Sequence, residues 1–413
     1  MHASKLHRGA AALLLSILSA LAALALLAAP SAGAPSRSLA TVTVNTLPIA
    51  NALPLDLGIS KGFFSKRGIE IKKVTLQSGN DIILALKNNN GDIGYIGWVP
   101  AFIAATSGVD ITTAAASEVE GTSEADNWQN VLVRGSSSIQ RPQDLAGKTI
   151  AVNALKGVSE VVIRAALKKL GVDPQSVKLV AMPFPTMRTA LANGLVDAIH
   201  TPEPFMSQAL KQDGARIVMA PGPVLMPYLP NGVYVARTEW SRADPALARN
   251  FRLALNESLV YAQSHPDEIR ALLPPAIRDI RLSVWSPVLD RSKLLQLAKF
   301  AREFGVISRL PDLTKLVPGT IASGVILQGD VGAKTISLKL DRQPVKTLTA
   351  GIDTVSVSDR SAKQNFHLKG PGVDRKTTVR GAGKITWTVT FKAGTYRYFS
   401  DANPKVSGSF RVS

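Results

Sequence analysis

From Thr41 to about Leu327, short apolar runs alternate with stretches whose apolar positions recur every three to four residues, the signature of strands trading places with amphipathic helices. The pattern predicts strands over 41–45, 68–72 and 92–96. It predicts helices over 53–64, 81–87 and 100–105, the last opened by Pro100 at its first turn. A second series begins in Asp144-Leu-Ala-Gly-Lys-Thr-Ile-Ala-Val-Asn153 and continues through a helix over 159–170, a strand over 177–180, a helix over 187–193, a strand over 196–199 and a helix beginning near Glu203. A strand returns at 233–236, followed by two long helices at about 245–264 and 292–304. This order predicts an α/β module over 41–328 with two lobes, the second spanning about 130–232. Its cleft should lie at the carboxyl ends of the strands, where helix N-termini also point.

Beyond about Gly329 the helical period stops. Runs at 335–340, 353–358, 384–390, 394–399 and 408–412 alternate with period two between Gly, Pro and Asp turns, so residues 329–413 read as a small all-β sandwich.

The N-terminus has a different pattern. Lys5, His7 and Arg8 precede an Ala/Leu-rich run from Ala10 to Ala29 and a small-residue exit, Pro30-Ser-Ala-Gly-Ala34. That order predicts a secretory signal peptide over residues 1–40, cleaved after Ala34 or Ala40. The chain of 413 residues contains no cysteine. No lipid anchor on a mature N-terminal cysteine is available, and the expected product is periplasmic, secreted or displayed at the cell surface. The same absence excludes disulfide scaffolds, Cys-ligated zinc, iron–sulfur clusters and thiol catalysis.

Charge sharpens the division. The formal net charge of +18 is unevenly spread, with 15 Lys and Arg against six Asp and no Glu from Gly329 onward. The basic β segment has no nucleic-acid-binding motif, so a nucleic-acid partner is not expected. Anionic polymers of the cell envelope are a candidate partner for its basic surface.

Enzyme signatures are weak. Gly147-Lys148-Thr149 resembles the end of a phosphate-binding loop, but Pro142 stands where the Walker pattern requires glycine. A nucleophile elbow, a His-Glu-x-x-His motif and a dinucleotide fingerprint are all missing. The reading is of a protein without catalytic residues, cofactor or metal.

Three segments place flexible or proline-opened turns at helix starts after strands: Gln77-Ser78-Gly79-Asn80-Asp81, Gly97-Trp98-Val99-Pro100, and Asn153 through Lys156-Gly157-Val158-Ser159. Helix N-termini expose N–H donors and about half a positive charge, which suits an anionic head group. Trp98 is a candidate wall and Lys156 a candidate charge partner. Asn127 and Trp128 fall where the chain should cross between lobes, and Glu203 opens a helix between two prolines.

Several segments in order resemble one family. Pro54-Leu55 before Lys61-Gly-Phe-Phe64, Ala85-Leu86 before Gly91-Asp-Ile-Gly94, Asp144 through Asn153, Pro183-Phe-Pro185, Asp197-Ala198 and Glu203-Pro-Phe205 are similar to the nitrate/sulfonate/taurine type of ABC-transporter substrate-binding proteins, a group with a thiamine-pyrimidine branch. The resemblance spans about residues 41–325. It implies a type II periplasmic-binding-protein fold whose lobes close on a small solute, with an aliphatic sulfonate such as taurine preferred, and pass it to a membrane permease. Nitrate or a thiamine pyrimidine precursor is the alternative ligand, and an envelope-attached sensor or adhesion protein the alternative role. By position it implies a pocket of Asn51, Ser78, Gly79, Asn80, Gly97, Trp98, Asn127, Asn153, Lys156, Gly157, Ser159 and Glu203.

The β segment resembles a cupredoxin-like domain through Gln364-Asn-Phe-His-Leu368 and Gly394-Thr-Tyr-Arg-Tyr-Phe-Ser400. Where the resemblance implies copper ligands, this chain carries Gln364, Ser400, Asn403 and Val406. A type 1 site needs two imidazoles and a thiolate, so no copper binding is expected.

Overall fold

The computed structural model describes residues 39–319, 325–340, 342–348 and 350–413. Apart from its last two residues, the expected signal peptide lies outside them. Among the described residues no helix is long and apolar enough to cross a membrane.

The first lobe opens with β1 (Ala40–Thr46), α1 (Leu53–Ser60), β2 (Ile69–Thr75), α2 (Gly79–Lys87), β3 (Ile93–Gly97), α3 (Trp98–Thr106) and β4 (Ile111–Ala116). A short β5 (Glu118–Val119) leads out of it. The second lobe holds β6 (Gln129–Val133), β7 (Thr149–Val152), α4 (Val158–Lys169), β8 (Lys178–Ala181), α5 (Phe184–Ala192), β9 (Ala198–Pro202), α6 (Phe205–Gln212) and β10 (Arg216–Met219). After α7 (Pro221–Leu225) the chain returns to the first lobe as β11 (Gly232–Arg237), α8 (Thr238–Ala243), α9 (Pro245–Ser264) and α10 (Pro266–Ala271). It then runs through β12 (Val284–Trp285), α11 (Arg291–Glu303) and α12 (Leu313–Leu316).

The first sheet has the order β2-β1-β3-β11-β4 and the second β10-β6-β9-β7-β8. In the first, β1 runs parallel to β2 and β3, whereas the returning β11 lies antiparallel between β3 and β4. In the second, β7 is parallel to β8 and β9 while β6 is antiparallel to β9 and β10. Strands β4, β6 and β9 are buried along their whole length, so they show no alternation of buried and exposed positions. Two segments, 117–128 and 220–231, carry the chain between lobes. β5 and β12 pair beside them, Glu118 opposite Trp285.

Local chemistry explains the longest helix. Asp244 caps α9 by accepting from the Leu247 N–H at 2.8 Å, and Pro245 occupies its first turn. Phe251, Ala254, Leu255, Ser258, Leu259 and Ala262 recur at spacings of three and four and form its buried face.

The C-terminal region is all-β: β13 (Ile326–Val331), β14 (Ile336–Leu340), β15 (Gln343–Pro344), β16 (Thr347–Leu348), β17 (Gly351–Asp359), β18 (His367–Gly370), β19 (Val373–Lys376), β20 (Gly383–Phe391), β21 (Gly394–Phe399) and β22 (Ser407–Val412). These form two five-stranded sheets, β15-β14-β13-β17-β20 and β16-β22-β21-β18-β19. Phe366, Phe391, Tyr396 and Phe410 fill the core between them, with Tyr396 and Phe410 stacked at 5.4 Å. β13 straddles the expected division at 328/329, because Ile326 through Val331 pair in parallel with Thr354 through Asp359.

Candidate functional site

A cleft between the lobes encloses about 550 Å³, including the space open to solvent. Its walls are made largely from helix beginnings. Gly79 and Asn80 start α2, Gly97 precedes α3, Gly157, Val158 and Ser159 surround the start of α4, and Phe184 starts α5; all of them line the cleft. Four helix N-termini at one cavity follow from the α/β order, since each helix begins at the carboxyl end of the strand before it. Gln129, Asn153 and Asn231 add polar groups, and Leu47, Ile49, Pro100, Trp128 and Pro202 an apolar boundary. The lining contains no charged side chain.

The lobes touch across this cleft. Asn153 Nδ2 donates to the Gln77 carbonyl at 2.8 Å, and Asn80 Nδ2 donates to the Leu155 carbonyl at 3.4 Å. A Cβ on Gly97 would stand 2.5 Å from Val158 Cγ2 on the opposite lobe, so only glycine permits this approach. Behind the lining, Ser159 Oγ lies 2.8 Å from His200 Nδ1. Burial pushes the His200 pKa down to about 3, so its ring is neutral at physiological pH and holds Ser159 by a hydrogen bond.

Of the expected pocket residues, Gly79, Asn80, Gly97, Asn153, Gly157 and Ser159 line the cleft together, with Trp128 beside them. Six others do not, and each has another task. Ser78 caps α2 by accepting from the Asp81 N–H at 3.2 Å. Trp98 is fully buried, its ring 5.8 Å from that of Phe102, because α3 turns this position toward the core rather than the cleft. Asn51 donates to Ser283 Oγ at 2.9 Å, and its carbonyl receives the Trp285 indole. Lys156 adopts a left-handed backbone with φ of 54°, and its N–H donates to Glu160 Oε2. Glu203 is held by the Ser207 N–H and hydroxyl and by the Arg281 N–H at 2.7–3.1 Å.

Asn127 belongs to a buried network between the two interlobe crossings, a feature the sequence reading missed. Glu120 accepts from Gln129 Nε2 at 2.8 Å, from Asn127 Nδ2 at 3.1 Å and from Asn231 Nδ2 at 3.1 Å. Nearby, Glu118 accepts from the Tyr95 hydroxyl at 2.7 Å. Burial raises both glutamates to about 7. Added Cβ atoms on Gly222 and Gly232 would collide with Glu120 and Glu118 respectively, so the return crossing is shaped around carboxylates of the outgoing one. Two short acidic positions in an apolar stretch were the available signal; their partners lie up to 111 residues away.

In the β-domain, Ser400 is fully buried and shares its hydroxyl with Asn365. Asn403 and Val406 close the following turn through main-chain bonds to Ser400 and to each other, and the Gln364 N–H donates to Ser361 Oγ. Among the described residues no group of three or more His, Cys, Asp or Glu is placed to hold a metal ion.

A family profile described as NMT1/THI5 like matches residues 50–269. A putative aliphatic sulfonates-binding protein of Bacillus subtilis (strain 168) is 28% identical over 247 residues, covering 59% of this chain and 71% of that protein. The taurine-binding periplasmic protein of Escherichia coli (strain K12) is 28% identical over 213 residues, 51% of this chain and 63% of that one. Among solved structures, the alkanesulfonate-binding protein SsuA from Xanthomonas axonopodis pv. citri bound to MOPS superposes with a TM-score of 0.58 at 19% identity, covering 67% of this chain and 98% of that chain. That likeness establishes the periplasmic-binding-protein fold, with mixed α/β sheets in two lobes. The chain belongs to the NMT1/THI5-like family, alongside substrate-binding proteins of ABC transporters.

Proposed function

We propose that this protein is the extracytoplasmic solute-binding component of an ABC importer and captures a small organic anion or zwitterion, an aliphatic sulfonate such as taurine, by closure of its lobes. The observation that carries the reading is the cleft itself: helix beginnings from both lobes converge on it, and its lining contains no charged side chain. A sulfonate is ionised at every physiological pH and is satisfied by main-chain N–H groups and helix dipoles without a counter-charge. Asn80, Gln129, Asn153, Ser159 and Asn231 supply side-chain hydrogen bonds, and Leu47, Ile49 and Phe184 accommodate a short aliphatic chain. The similarity to sulfonate- and taurine-binding proteins supports the ligand class.

No catalytic step is part of this reading. Ser159 and His200 form a hydroxyl–imidazole pair, but the ring is buried, and Nε2 has no hydrogen-bond partner among the described residues to orient it as a base. A thermal-shift panel of taurine, ethanesulfonate, nitrate, an amino-pyrimidine and an aromatic carboxylate tests the reading. A ligand at a hundredfold excess over its dissociation constant contributes about 2.7 kcal/mol. The expected result is a raised Tm with the sulfonates; a rise with nitrate or the pyrimidine alone overturns the ligand, and no rise with any of the panel overturns solute capture.

A further inference from the structure

We infer that the β-domain is a brace on the interlobe crossings that holds the lobes in their closed arrangement. Val119, Tyr228, Val284 and Ile326 form a small buried cluster. Its four members come from four different places: the outgoing crossing, the return crossing, β12 of the first lobe, and β13 of the β-domain. Ile326 therefore shares one buried cluster with both segments that must twist when the lobes separate.

The β-domain is also anchored beside the crossings. Ser286, just after β12, shares a buried hydrogen bond of 2.8 Å with Thr354 of β17, and β20 lies against α9 of the first lobe. The outgoing crossing is touched again where Arg342 donates to the Thr122 carbonyl at 3.4 Å. On the return crossing, Lys293 of α11 donates to the Pro227 carbonyl at 2.9 Å and sits 5.7 Å over the Tyr228 ring. Tyr228 itself has a left-handed backbone with φ of 56°, a strained conformation that persists when its surroundings enforce it.

Fixed to one lobe and gripping both pivots, the β-domain makes contacts that fit one hinge geometry. The geometry it fits is the one in which Asn153 bonds Gln77 and Val158 approaches Gly97, that is, the closed one. Whatever favours closure in the free protein raises apparent ligand affinity, because the fraction of molecules competent to bind rises with it. This assigns the β-domain a task in the conformational equilibrium that requires no metal and no second ligand.

The test uses the full chain without ligand, so its outcome is independent of which solute the cleft takes. The chain has no cysteine, and Leu84 on the first lobe and Leu195 on the second are 56% and 72% exposed. Spin labels on Leu84→Cys and Leu195→Cys report the interlobe distance by pulsed electron resonance. In the otherwise native chain one short distance should dominate. Ile326→Asp, which undocks the β-domain whether or not that domain stays folded, should add a population at longer distance. The milder Thr354→Val removes the one buried hydrogen bond to Ser286, leaves Ser286 Oγ accepting from the Val288 N–H, and should raise the open-to-closed ratio about fivefold. Distributions that stay unchanged or narrow in both variants overturn the brace. Failure of taurine to bind the native chain overturns the ligand assignment and leaves the distance result to decide this inference.

Discussion

The side-chain amide of Asn153, just after β7 in the second lobe, donates to the main-chain carbonyl of Gln77, just before α2 in the first, at 2.8 Å. This bond exists only while the lobes are together, so it belongs to the closed state alone. Asn153→Ala removes this bond together with the one proposed to the ligand, should weaken taurine binding about fivefold or more, and should shift the small-angle scattering profile of the free protein toward a larger radius. Titration calorimetry and scattering on the same preparation check both effects.

Gly97 makes a stronger statement about the same contact. A methyl group there meets Val158 Cγ2 at 2.5 Å, and overpacking of this kind costs about 1–3 kcal/mol. Because Val158 lies on the other lobe, the cost falls on closure rather than on folding. Gly97→Ala should therefore weaken sulfonate binding about tenfold or more with little change in the Tm of the free protein. A large drop in Tm with unchanged affinity would show that the contact serves folding instead.

Stability should depend on pH through the crossings. Glu118 and Glu120 are raised by burial to about 7 from an ordinary 4.5, so the folded state holds protons that the unfolded state releases. The stabilisation is present at low pH and lost as pH rises through about 7. His200, lowered to about 3 from 6.5, acts in the opposite sense, mainly below about 6.5. Between pH 8 and 6.5 each glutamate should contribute about 0.8 kcal/mol of added stability on acidification, against about 0.4 kcal/mol lost as His200 begins to take up a proton in the unfolded chain, so the net change remains stabilising. Calorimetric unfolding across that interval checks the sign; Glu118→Gln and Glu120→Gln should each flatten the slope.

The β-domain should bind no stoichiometric copper. Ser400 and Asn365 use each other's polar atoms in the interior, and amide and hydroxyl groups are poor substitutes for thiolate and imidazole. Metal analysis of the purified chain and its visible spectrum check this; one copper per chain with an intense charge-transfer band is the contrary result.

The layout of the α/β module was legible because its elements are marked locally. The helix over 245–264 has its cap, its proline and its apolar spacing in consecutive sequence, and it ends where the pattern says it should. The helix starts that line the cleft were legible for the same reason: Gly97 ends β3, and Gly79 and Gly157 follow β2 and β7 after short turns. Trp98 was misplaced as a cleft wall because α3 is apolar on every face, so periodicity does not say which way the ring turns; in the fold it packs on Phe102. Of the Glu120 network only the two acidic positions in an apolar stretch were legible, not what they bind. Its partners Gln129 and Asn231 are brought together by two separate crossings of the chain, and nothing local distinguishes a buried carboxylate from a solvated one. The clustering of Ile326 with Val119 and Tyr228 was hidden likewise, being a meeting of single apolar residues from distant segments.

Solute capture by lobe closure is tested most directly by calorimetric titration of the full chain with taurine and ethanesulfonate, in parallel with the Gly97→Ala variant. Saturable binding of one sulfonate per chain is expected, weakened about tenfold or more in the variant. Absence of saturable binding for either sulfonate at millimolar concentration, or equal affinity in native chain and variant, would contradict it.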